Sequence, residues 1–119
     1  VTGNRNLSDE RRIADRVSAK SADIHVYDRI SDTSLGTIAN LSETGFMLVS
    51  HRDIQVDSVF QLELSCCEGE FGNIQIGAVC LWNADTSSEN LFWAGFHIID
   101  ISASAETALK QVIAKLSEK

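Results

Sequence analysis

Proline is absent from this chain of 119 residues, a lack that favours no fold class over another. No apolar run approaches the roughly 18 residues that a membrane-spanning helix needs, so membrane insertion is not expected. No secretory leader pattern opens the sequence, and a cytoplasmic location is the expectation. Cysteine is scarce: Cys66, Cys67 and Cys80 are odd in number and follow no framework spacing. Adjacent Cys66 and Cys67 point to opposite faces of a strand and make poor partners, so reduced thiols are expected. His25, His51 and His97 are scattered singly, and no CxxC pair accompanies them, so no metal site is expected. Catalytic spacings are missing too. There is no serine–histidine–acid set, no phosphate-cradling glycine loop and no carboxylate pair apart from ordinary strand acids, so no enzyme is expected. Internal repeats and low-complexity tracts are also lacking.

What is present describes one domain with a modest core. The hydrophobic fraction of 44% and charged fraction of 23% suit an ordinary globular protein. Net charge is -7, which disfavours DNA or RNA, because phosphate contacts dominate that affinity. The charge is unevenly spread. Residues 1–20 hold Arg5, Arg11, Arg12, Arg16 and Lys20 against Asp9, Glu10 and Asp15, a net of +2, so the rest carries -9. A cationic end on an acidic body suits a small anion better than a long polyanion. The chain opens on Val1-Thr2-Gly3 rather than Met, as a domain cut from a longer protein or a chain with a cloning remnant would.

Residues 1–10 are polar and aperiodic and read as a flexible N-terminal segment. Residues 11–18 have too little apolar content for a packed helix and read as loop. Six strands are then expected. The first runs from Ala22 to Asp28, the second from Leu35 to Asn40 and the third from Phe46 to Ser50. The fourth, Val59 to Cys66, alternates cleanly, with Phe60, Leu62, Leu64 and Cys66 on one face. The fifth spans Ile74 to Trp82 and the sixth Leu91 to Ile101, with a polar loop between them over residues 83–90. Ser42-Glu43-Thr44-Gly45 reads as a tight turn in which Gly45 takes a positive φ. Period changes at the end: Ala105, Leu109, Val112, Ile113 and Leu116 recur at helical spacing. Ser102 or Ser104 caps that helix and Glu106 suits its positive end. Short strands followed by one amphipathic helix favour a small antiparallel barrel or curled sheet, plugged or flanked by the helix.

Two short signals stand ahead of and within these strands. Arg12 and Arg16 make an R-x-x-x-R spacing; Asn40, Ser42 and Gly45 make an N-x-S-x-x-G. With Phe92-Trp93-Ala94-Gly95-Phe96 ahead of the last helix, their order resembles that of the PilZ family of cyclic di-GMP (c-di-GMP) receptors. The resemblance runs from about Arg11 to the helix, so residues 11–119 are expected to form the PilZ-like domain. It implies an all-β fold, a six-stranded antiparallel barrel with one C-terminal helix. It implies c-di-GMP as ligand, held by Arg12, Arg16, Asn40, Ser42 and Gly45, and no resident cofactor. Guanidinium groups suit such a ligand because they pair with phosphates, donate to guanine O6 and N7, and stack on purines. Asn40 and Ser42, two apart, share a face on extended backbone, while Leu41 points to the core.

Three further positions bear on the site. Arg11 is either a solvated arginine or a third guanidinium for a second, intercalated ligand molecule. Trp82 either stacks on a guanine, as a tryptophan does in some family members, or packs in the core or against the helix, since it shares parity with Ile74 and Ile76. Trp93 reads as structural. The family resemblance implies a receptor module whose N-terminal arm changes conformation on binding and signals to a protein partner or fused domain. The alternative is a PilZ-like interaction domain that binds no nucleotide.

Overall fold

The computed structural model describes residues 17–19, 23–66 and 69–117. Among these residues are seven strands: β1 (Val17–Ser18), β2 (His25–Asp28), β3 (Thr33–Leu41), β4 (Gly45–Ser50), β5 (Val59–Ser65), β6 (Ile74–Asp85) and β7 (Phe92–Ile101). One helix, α1 (Ala103–Ser117), comes after them. Strands β3, β2, β5, β6, β7 and β4 are neighbours in that order, all antiparallel, and β4 pairs back onto β3. The six close into a barrel, which leaves no long free edge. The seventh, β1, continues the side of β3 that β2 occupies lower down.

Closure is driven by the inward face. Val26, Leu35, Leu41, Phe46, Leu48, Leu62, Ala78, Cys80, Ala94 and Phe96 are all buried. Phe46 and Phe96 stand directly opposite across β4 and β7 and stack, with ring centroids 5.0 Å apart. Phe60 meets Phe96 edge-on at 5.8 Å, a geometry that the aromatic quadrupole favours. The helix flanks the barrel against β6 and β1, burying Leu109 and Val112. Ser102 is its cap: the hydroxyl accepts from the Ala105 N–H at 3.1 Å. At its other end Lys115 pairs with Glu70.

Three expectations need correction. Residues 11–18 are not all loop, because Val17–Ser18 pairs with Asn40–Leu41; residues 11–16 lie outside the described part. A two-residue strand leaves no periodic trace and exists because β3 offers it partners. The polar loop expected at 83–90 is shorter, since β6 runs on to Asp85 against Phe92. Its residues Asn83, Ala84 and Asp85 are exposed but hydrogen-bonded to β7, and pairing rather than polarity sets the strand end. Gly45 is not in the positive-φ region. It is small for another reason: a Cβ there would lie 2.2 Å from the carbonyl oxygen of Phe96. The turn instead closes through Ser42.

Candidate functional site

The expected site residues of the second signal converge on one end of the barrel wall. Ser42 is 1% exposed. Its hydroxyl oxygen accepts from the N–H groups of Thr44 and Gly45, each at 3.2 Å, while its own N–H donates to the Gly45 carbonyl at 2.8 Å. A serine placed this way builds the turn by satisfying backbone donors that would otherwise be orphaned. Its role is to shape the rim. Asn40 lies within β3 and is half-buried, while Ser42 lies in the turn beyond it and is buried. Leu41 does point inward and is fully buried.

Asn40 owes its direction to a β-bulge. Ile38 pairs with Leu48 and Asn40 with Met47, so Ala39 is the extra residue. Simple alternation would send Asn40 inward with Ile38. One added residue reverses the parity of the positions beyond it. A second bulge does the same to Trp82. Cys80 pairs with Phe96 and Trp82 with Gly95, leaving Leu81 unpaired. Trp82 has the parity of Ile74 and Ile76, yet it is 40% exposed. The core-packing alternative for Trp82 fails on this register shift.

A row of directly paired residues results. Ser18 faces Asn40, Asn40 faces Met47, Met47 faces Gly95 and Gly95 faces Trp82. Paired residues share a face of the sheet, so these five cross β1, β3, β4, β7 and β6 on the outside of the barrel. Asn40 and Met47 touch, Nδ2 to Sδ at 3.9 Å. Trp93 belongs to the adjacent outer row, opposite Ala84 and Val49, and is half-buried. Arg11, Arg12 and Arg16 lie outside the described residues. Among those described, no helix is long and apolar enough to cross a membrane.

A family comparison bears on this arrangement: the PilZ domain model matches residues 10–115. The chain belongs to the PilZ domain family. A search of the curated proteins gives no match. Among solved structures it is similar to the PilZ domain with c-di-GMP of YcgR from Escherichia coli. There the TM-score is 0.69 at 19% identity, over 89% of this chain and 91% of that one. The inhibitor of motility MotI/DgrA from Bacillus subtilis has TM-score 0.70 at 19% identity, over 88% of this chain and 50% of that one. The K. pneumonia MrkH–c-di-GMP complex has TM-score 0.73 at 16% identity, over 89% and 52%. This PilZ domain thus spans about half the length of MotI and MrkH.

Within the PilZ barrel, Ser18 and Met47 join the wall without any mark in the sequence that would single them out, and Gly95 was marked only as part of the Phe92–Phe96 stretch, with no place at the site. Pattern could not have found them. Nothing in a lone methionine or glycine says which strand lies opposite, and that pairing is what places them beside Asn40 and Trp82.

Proposed function

We propose that this PilZ domain binds c-di-GMP against the outer wall formed by Asn40, Met47 and Trp82, at the rim shaped by Ser42 and Gly45. The observation that carries the reading is the pairing of Val17 with Leu41 and of Ser18 with Asn40. Arg16 directly precedes Val17 in the sequence. That pairing supports a reading in which the arginine arm meets the ligand beside the N-x-S-x-x-G segment. Arg12 and Arg16 then supply guanidinium groups to phosphate and guanine, Asn40 offers a donor and an acceptor to a base edge, and Trp82 gives a stacking face. Arg11 is assigned to a second ligand molecule stacked on the first.

The ligand's two phosphates meet positive charge here, while the acidic remainder of the chain repels longer polyanions. Closure of the arm gives up conformational freedom and changes the surface a protein partner or fused domain meets. No catalysis and no resident cofactor enter this reading. Titration calorimetry with c-di-GMP is the test. The unaltered protein binds, and Arg12→Ala or Arg16→Ala abolishes or severely weakens binding. Absence of heat with the unaltered protein at micromolar ligand would leave the alternative, an interaction domain without nucleotide.

A further inference from the structure

Trp82 rests on Gly95. An ideal Cβ at Gly95 would lie 2.0 Å from the indole Nε1, 2.4 Å from Cε2 and 2.7 Å from Cδ1. The five-membered edge of the ring thus occupies the space a side chain would take. This is the one position of the row where the strand carries no side chain, and the ring still exposes 40% of its surface. The Trp82 backbone is held just as closely. The buried Cys80 thiol donates to the Trp82 carbonyl at 3.4 Å across the extra residue Leu81. Cys80 is itself fixed on both polar groups: its N–H donates to Ser58 and its carbonyl accepts from the Asp57 N–H, at 2.9 and 2.7 Å. One residue beyond Trp82, Asn83 donates to the Ile54 carbonyl at 2.6 Å. The segment between β4 and β5 therefore clips the bulge from one side while Gly95 seats the ring from the other.

We infer that Gly95 and the Cys80–Trp82 thiol–carbonyl bond are positioning elements that hold the Trp82 indole ready to stack on a purine base before any ligand arrives. The inference rests on the binding reading above. Neither Gly95 nor Cys80 touches the ligand; both act through the tryptophan. A platform fixed in advance loses no rotamer freedom on binding, and base–aromatic stacking repays it directly.

The test uses a Trp93→Phe background, in which Trp82 is the sole tryptophan. Acrylamide quenching of the ligand-free protein comes first and needs no nucleotide. Gly95→Ala introduces a methyl where the ring lies, so Trp82 quenching rises; Cys80→Ala raises it less. Unchanged quenching in Gly95→Ala overturns the inference whatever the protein binds. c-di-GMP affinity comes second, as a double-mutant cycle. Gly95→Ala weakens binding about tenfold, on the order of one lost stacking contact, and adds nothing further once Trp82 is alanine. Equal weakening with and without Trp82 overturns the routing through the ring. Loss of binding by the unaltered protein strikes the binding reading, while the quenching result still judges the placement.

Discussion

Asn40 and Trp82 stand on one row of the outer wall, three strand steps apart, which is at most about 14 Å along the hydrogen-bonding direction. Each comes directly after a single bulge residue, Ala39 in the β3–β4 register and Leu81 in the β6–β7 register, and each would otherwise face the core. The barrel therefore makes its candidate ligand wall by breaking alternation twice. Between them lie the flexible thioether of Met47 and Gly95, whose side-chain space the Trp82 indole fills.

The arginine arm gives the first expectation. Hydrogen bonds to charged groups contribute about 1.5–3 kcal/mol each, so Arg12→Ala and Arg16→Ala should each weaken c-di-GMP binding roughly ten- to hundredfold. Calorimetric stoichiometry separates Arg11 from these two. About two ligand molecules per chain, falling to one in Arg11→Ala, is the expected result; one molecule in both proteins would remove Arg11 from the site.

Ser42→Ala should cost stability as well as binding. The hydroxyl satisfies two backbone N–H groups in a buried turn, and leaving such donors unpaired costs about 1–3 kcal/mol. A urea melt of the ligand-free variant measures this. A midpoint equal to that of the unaltered protein would show that water takes over the turn.

Gly45→Ala tests close approach rather than backbone freedom. Its methyl would meet the Phe96 carbonyl oxygen at 2.2 Å, at the Gly45–His97 end of the β4–β7 ladder, where the obstacle is backbone rather than a movable side chain. Overpacking of this kind costs about 1–3 kcal/mol or more. The same melt should show a lowered midpoint, and an unchanged one would mean that β4 and β7 can part without loss.

Cys80 predicts a pH dependence. Burial pushes its thiol above the ordinary value of 9.0; a hydrogen bond from the Trp82 backbone pulls it down and nearby Asp57 raises it further. The folded state thus holds the proton more tightly than the unfolded chain. Its stabilising effect is complete below pH 9.0 and is lost as pH rises from there through the higher folded value. Stability of the unaltered protein should fall more steeply above about pH 9 than that of Cys80→Ala, in parallel urea melts. Parallel curves would show that the thiol titrates alike in both states.

Much of the barrel was legible before any coordinates. Val59–Ser65 alternates because one face is buried and the other is wet, and a strand with that pattern can hardly lie otherwise. Leu109 and Val112 fix the buried face of the last helix in the same way. The arginine and asparagine–serine–glycine spacings marked the family, but Leu41 points inward only because the bulge at Ala39 reverses the parity set by Ile38. Val17–Ser18 was not legible, since two residues have no period and form a strand only because Asn40 and Leu41 lie open beside them.

The sequence by itself determined which residues are apolar, in what order the strands come, and where cationic charge collects. Tertiary structure decided which way Asn40 and Trp82 face, because a bulge is a mismatch between two strands and cannot be seen in either one alone. It also decided why Gly45 and Gly95 are small: one gives way to the Phe96 carbonyl and the other to an indole, and both neighbours arrive only when β7 takes its place in the closed wall.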